Sequence, residues 1–243
     1  METKTIAWFS AGVSSAVATK LVIDKIDHII YTHIEDQHPD TMRFVKECEA
    51  WFGKPVEIMQ SPYKNVENAL LGASFINSPY GAPCTNILKK RVRIEWEAKN
   101  EFFCWFDYVW GMDADEADRC QGLEESMPNQ KHIFPLVERG IDKDKAHQIL
   151  KASGIKRPVM YDLGYQNNNC IGCVKGGMAY WNHIRVDFPE VFLKRSLMER
   201  KVGASCIHTE KGKVFLDELD PERGRDDPPI VEDCGIFCET MAM

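Results

Sequence analysis

The stretch NNNCIGCVKGG carries Cys170 and Cys173 at C-x-x-C spacing. Two thiolates so spaced converge on one metal ion or form a redox pair. One such pair supplies half of a zinc or iron–sulfur site, so the remaining ligands must come from elsewhere in the chain. Cys84 in GAPCTN and Cys234 and Cys238 in CGIFC are the candidates, with free thiols as the alternative. Cys206 and His208, in SCIH, form a further pair of ligand types. Cys48, Cys104 and Cys120 stand in apolar helix- or strand-like contexts and read as packing.

A second chemical feature is WFSAGVSSAVATKL, residues 8–21. Its small, hydroxyl-rich turn lies between an apolar run and an alanine- and valine-rich one. A strand, a tight turn and a helix N-terminus present backbone N–H groups to an anion. Gly12 permits close approach, and Ser10, Ser14 and Ser15 add hydroxyls. The lysine of a Walker A loop is missing, and a single glycine is too few for a dinucleotide fingerprint. A serine-rich helix cap is the competing account.

Two acidic stretches come next. In THIEDQHPDT, Glu35 and Asp36 are placed to meet a ribose hydroxyl or a metal, while Asp40 caps the next helix. In GMDADEADR, Glu116 and Arg119 lie three residues apart. They form either a salt bridge along one helix face or an arrangement in which Arg119 faces a phosphate or sulfate.

The elements that must hold these residues alternate. Strands are predicted at 4–10, 28–35, 55–61, 106–113 and 131–138, and helices at 13–26, 40–53, 83–100 and 115–123. Such alternation implies crossovers and parallel pairing. The fold class is therefore α/β: a doubly wound, mainly parallel, five-stranded sheet. Ligands of such sheets bind beyond the carboxyl ends of the strands. That rule gathers residues 10–15, 35–40 and 111–119 on one rim with those after Pro135. Helices are again predicted at 142–155 and 188–203. The chain thus divides into a nucleotide-type core, 1–139, and a cysteine-containing, mostly helical part, 140–243.

The bulk numbers agree with a globular protein of ordinary composition. Of 243 residues, 44% are hydrophobic and 28% charged, with a formal charge of −7. That charge does not indicate nucleic-acid binding, although a local basic groove is compatible with it. No apolar stretch approaches the roughly 18 residues of a membrane span. METKTIAWF has neither the basic start nor the apolar core of a signal peptide, so a cytoplasmic location is expected. Disulfides are not expected there.

Taken in order, these motifs resemble the phosphoadenosine-phosphosulfate (PAPS) reductase family, within the adenine nucleotide α-hydrolase-like (PP-loop) superfamily. The likeness runs from Lys4 to Arg185. It rests on the serine/glycine loop, the acidic strand end with HPDT after it, and PCTNILKKR. It continues through Gly111, Glu116 and Arg119 in G-x-x-x-x-E-x-x-R, then IFPL and GYQNNNCIGC.

The resemblance implies that Ser10, Gly12, Ser14 and Ser15 cradle the phosphate or phosphosulfate of an adenine nucleotide: ATP, adenylyl sulfate (APS) or PAPS. His33, Glu35 and Asp36 would lie beside the adenosine. Lys89, Lys90, Arg91 and Arg119 would clamp the anion. Cys84, Cys170 and Cys173 would ligate a [4Fe–4S] cluster, with Cys234, Cys238 or a non-protein group as fourth ligand; zinc is the other metal considered. Cys234 would be the nucleophile that attacks sulfur, with an external thiol resolving the product. Two positions depart from the family's usual PP-loop: Ala11 and Ser14 stand where a glycine and an aspartate are usual. At the C-terminal stretch, Asp233 replaces glutamate and Phe237 replaces histidine. The implied activity is sulfonucleotide reduction or cluster-assisted sulfur transfer. Thiolation of a nucleic-acid base is one alternative, and a non-catalytic nucleotide module with structural metal is another.

Overall fold

The computed structural model describes residues 2–73, 75–78, 81–100, 104–210 and 212–224, with no side-chain description for Cys104. Cys234 and Cys238 lie outside these residues. The chain begins with β1 (Glu2–Trp8), α1 (Val13–Leu21), β2 (His28–His33), α2 (Asp40–Phe52) and β3 (Val56–Gln60). After the short α3 (Val66–Leu70), a long helix is built from α4 (Pro83–Thr85), a π turn over Asn86–Lys90, and α5 (Arg91–Asn100). Next come β4 (Cys104–Val109), α6 (Ala117–Ser126), β5 (Lys131–Ile133) and α7 (Lys143–Ala152).

These strands form one parallel sheet in the order β3-β2-β1-β4-β5. Alternation along β1 and β2 explains why helices must cover both faces. Ala7, Phe9, Ile29 and Tyr31 enter the core shared with Val13, Val17 and Phe44, and α7 closes this layer through Ala146 and Leu150. Ile6, Trp8 and Ile30 point the other way, into an aromatic core with Trp96, Phe106, Tyr108 and Leu123. Burial of both faces is the usual condition of parallel sheets. The fold is thus a doubly wound α/β sheet, as expected.

Several boundaries differ from the sequence expectation, each for a local reason. β2 stops at His33, because the Ile34 N–H turns to the Gln37 side chain (3.1 Å) and the Gln37 N–H to the Ile34 carbonyl (3.0 Å). β5 stops at Ile133, since Pro135 offers no N–H and the chain turns into a 3₁₀ segment at Val137–Arg139. α1 ends at Leu21, before a 3₁₀ turn at Ile23–Lys25.

The later part holds α8 (Val159–Asp162), α9 (Met178–Asp187), α10 (Pro189–Val202) and a two-stranded hairpin of β6 (Ile207–Thr209) and β7 (Gly212–Val214). The α3 and α9 helices and this hairpin were not anticipated. A third core joins these elements to the rim, with Ile34, Leu70, Leu88, Trp181, Ile184 and Met198 among its buried members. Among the described residues no helix is long and apolar enough to cross a membrane.

The chain order reverses about β1, since β2 and β3 lie to one side of it and β4 and β5 to the other. A crevice opens at such a switch point. Its walls meet where Gly111 leaves β4: a Cβ there would fall 2.3 Å from the Ser15 Cα. Only glycine lets this loop approach α1 so closely. Gly111→Ala must therefore push β4's exit from α1, and we expect a loss of about 1–3 kcal/mol in urea unfolding. Unchanged stability would refute this packing.

Candidate functional site

The loop between β1 and α1 is organised by its own hydroxyls. The Ser10 N–H donates to Ser15 Oγ (2.8 Å) and the Gly12 N–H to Ser10 Oγ (3.4 Å). Ala11 adopts φ 61°, a left-handed conformation that costs a non-glycine residue about 1–2 kcal/mol. Its carbonyl accepts from Asn168 Nδ2 (2.9 Å), and the Val13 N–H donates to the Tyr161 hydroxyl (3.3 Å). Among the described residues no side chain caps α1, and the run Val13–Thr19 is wholly buried. Ser10, Gly12, Ser14 and Ser15 thus lie together at the head of one helix.

Across the crevice stands Asp113, 3% exposed. Its carboxylate accepts from Ser14 Oγ (3.4 Å) and from the Asp115 N–H (3.3 Å), while Glu116 reaches back to the Asp113 N–H in a capping box. Burial, opposed by the charge of Lys143, raises the Asp113 carboxyl above the ordinary range. Glu116 also pairs with Arg119. The salt-bridge account of these two residues is therefore realised, and the Arg119 Nε is buried with no hydrogen-bond partner among the described residues.

At the end of β2 the anticipated residues part company. His33 lies beside the Tyr31 hydroxyl (3.3 Å), and exposed Glu35 accepts from Asn65 Nδ2 (3.0 Å). Asp36 is committed to the fold: it takes Arg195 Nη2 (2.6 Å) and the Val66 N–H (2.6 Å) on separate oxygens. Arg195 is 0% exposed. Burial opposes its charge, but Asp36 outweighs that cost and raises the guanidinium further, as the neighbouring Cys170 and Cys84 also do. Arg91, at the start of α5, is exposed, whereas Lys89 on the π turn is buried.

Cys84, Cys170 and Cys173, far apart in sequence, line one small cavity of about 20 Å³ together with Ile34, Lys89 and Val174. That volume holds a single water-sized body. The Tyr180 hydroxyl accepts the Cys173 N–H (2.8 Å) and donates to the Cys170 carbonyl (3.3 Å), which fixes the turn between the two cysteines. Gly172, at φ 69°, serves the same turn. Soft sulfur donors beside buried cations suit a thiophilic metal in kind. Among the described residues, however, no group of three or more Cys, His, Asp or Glu side chains is arranged to hold one. A donor beyond them, or movement of the three thiols, is needed to complete a coordination sphere.

Cys206 is not part of that cavity. Burial pushes its thiol well above the usual range, reinforced by Glu199, whose carboxylate also receives the Cys206 and Leu216 N–H groups. Cys48 and Cys120 are buried packing residues as anticipated, with Cys120 pushed up to about 11.

The CxxC segment is laid across the rim. Cys170 bridges to Gln37, and the Ile171 N–H donates to the Asp36 carbonyl (2.8 Å). Asn168 and Tyr161, from the same segment, reach the β1–α1 loop. Sequence reasoning missed Asn168, Tyr161, Asp113 and Arg195. Asn168 and Asp113 stand inside the motifs NNNCIGC and GMDADE, but nothing marks Arg195 apart from its charged neighbours in FLKRSLMERK. Compared with known proteins, the chain matches no family model and no curated protein.

Two consequences can be measured. Asp36→Asn leaves a buried guanidinium without its counter-charge and should cost about 3–5 kcal/mol in urea unfolding; a loss below about 1 kcal/mol would mean that the pair behaves as a surface one. The Asp113 carboxyl, raised in the folded state, penalises folding increasingly as pH rises from the unfolded to the folded value. Asp113→Asn, which keeps the capping oxygen, should therefore gain stability relative to wild type as pH rises through the carboxylate range. A difference independent of pH would contradict the assigned direction.

Proposed function

We propose that this chain binds an adenine nucleotide, its phosphate or sulfate end at the β1–α1 loop, and carries out sulfur chemistry with the cysteines gathered beside the rim. The observation that carries the reading is the shared cavity of Cys84, Cys170 and Cys173, on a segment tied through Asn168 to the serine loop. In this reading an anion-receptive helix head and a set of thiols share the rim at the carboxyl ends of the strands. The resemblance to PAPS reductases, and with it a HUP/Rossmann-like nucleotide site, supplies the nucleotide class.

In this reading Gly12, Ser14 and Ser15 meet the anionic end of the nucleotide. Lys89 and Arg195 offset negative charge on the cysteines from buried positions, where such charge acts strongly. With a further donor, and with the three thiols moved to open the present cavity of about 20 Å³, a thiolate-bound metal or iron–sulfur cluster held by Cys84, Cys170 and Cys173 would supply a soft Lewis acid to which sulfur can bind. For sulfonucleotide reduction, a cysteine thiolate attacks the sulfate sulfur and the S–O bond to the phosphate breaks. AMP or phosphoadenosine phosphate then leaves. An external thiol attacks the resulting S-sulfocysteine at the cysteine sulfur, forming a mixed disulfide and releasing sulfite. Cys234, the candidate nucleophile, lies outside the described residues.

Anaerobic purification with iron, zinc and acid-labile sulfide analysis tests this together with calorimetric titration of ATP, APS and PAPS. Expected are bound metal, lost in Cys170→Ser/Cys173→Ser, and binding of at least one nucleotide, weakened roughly tenfold in Ser15→Ala with metal retained. Failure to bind any of the three nucleotides would overturn the reading. Zinc held by four thiolates would favour the structural-metal alternative.

A further inference from the structure

Among the described residues, Ala11 is one of two non-glycine residues with positive φ, the other being Lys64. An L-residue in this conformation relaxes to negative φ unless its surroundings hold it. Beside the loop's own Ser10 and Ser15 hydroxyl contacts, a buried side chain from a distant part of the chain reaches Ala11. Asn168, 3% exposed, donates Nδ2 to the Ala11 carbonyl (2.9 Å) and shares a hydrogen bond with Thr41 Oγ1 (3.2 Å) in the first turn of α2. Thr41 is itself 1% exposed, so the amide is clamped on both sides.

Asn168 also lies two residues before Cys170, and the backbone on that side is equally constrained. Cys170 bridges to Gln37, and the Ile171 N–H is held by the Asp36 carbonyl. A displacement of the C-x-x-C turn thus moves the side chain that keeps Ala11 left-handed. Conversely, relaxation of Ala11 withdraws the acceptor that anchors Asn168. Coupling between the two sites requires that this strained peptide have two states and that both sites bias it.

We propose that Asn168 is a positioning residue that latches the β1–α1 loop to the cysteine segment, so that the loop's anion-receptive form and the closed form of the Cys170–Cys173 turn stabilise each other. The proposal deepens the nucleotide reading of the loop and rests on it for its ligand. By linkage, a nucleotide that favours the latched loop must protect the cysteine turn from opening, and by the same factor a closed turn must tighten the nucleotide. Asn168 touches no reacting atom in this scheme and acts entirely through Ala11.

The test uses a variant that separates strain from packing. Glycine adopts φ 61° without a Cβ penalty, so Ala11→Gly should free the loop from its dependence on the latch. Three measurements are made on the full-length chain: amide hydrogen exchange over residues 10–16, calorimetric ATP affinity, and iodoacetamide alkylation of Cys170 read by mass spectrometry. In Asn168→Ala, loop exchange should rise and ATP affinity fall, each on the order of tenfold. In Ala11→Gly/Asn168→Ala, both should return to within about threefold of wild type. ATP should slow Cys170 alkylation in wild type and no longer do so in the double variant, whose loop binds but whose tether is gone. Unchanged loop exchange in Asn168→Ala overturns the latch, as does failure of Ala11→Gly to restore it. ATP protection of Cys170 that persists in the double variant overturns the coupling. Absence of ATP, APS and PAPS binding by wild type counts against the nucleotide reading, while loop exchange still decides whether Asn168 holds Ala11.

Discussion

One carboxylate at the end of β2 holds the later half of the chain to the sheet. Asp36 accepts from Arg195 of α10 on one oxygen and from the Val66 N–H at the start of α3 on the other, and its own carbonyl receives the Ile171 N–H. Three segments distant in sequence thereby meet at one residue. Arg195 is wholly buried, so its charge is tolerated only because Asp36 answers it. Without that pair, the apolar core under α9 and α10 would have to close over an unpaired guanidinium.

The same joint sets the electrostatics of the rim. Arg195 and Lys89 bring positive charge towards the cysteines from buried positions, whereas the crevice beside α1 faces Asp113, a carboxyl raised by burial. Thiols near cations and a serine loop near a buried carboxyl make two chemically different compartments on one rim. The segment from Tyr161 to Cys173 runs between them, tied to α1 at one end and to the end of β2 at the other. The Asp113 carboxyl is also answered locally by the Ser14 hydroxyl and the Asp115 N–H, so the loop that lacks an aspartate of its own has one facing it from β4's exit.

Much of the sheet was legible because its signals are local. Short apolar runs punctuated by glycine, proline and caps identify β1 to β5 and the helices between them, and parallel pairing is implied by crossover spacing alone. Boundaries were less legible, since they depend on which backbone group finds a side chain: Gln37 ends β2, and Pro135 cuts β5 short. Helices α3 and α9 escaped for different reasons. The first has only five residues. The second, MAYWNHIRVD, mixes aromatic and polar residues without a clean apolar stripe, and its burial comes from Trp181 and Ile184 meeting α10. At the site, the residue types that bear chemistry were visible, but their partners were not. Asp36 read as a ligand for ribose or metal is in fact engaged by Arg195 and Val66, and Glu116 with Arg119 closed on each other.

By itself, the sequence determined the strand–helix alternation, the serine turn at the head of α1 and the C-x-x-C spacing, because each is written within a dozen neighbouring residues. Only the tertiary structure decided that Cys84 joins Cys170 and Cys173 around one cavity, that Arg195 answers Asp36, and that Asn168 holds Ala11 left-handed. These pairings join residues far apart along the chain. They are chosen by which groups would otherwise be buried without a partner, and that cost exists only once the chain has closed on itself.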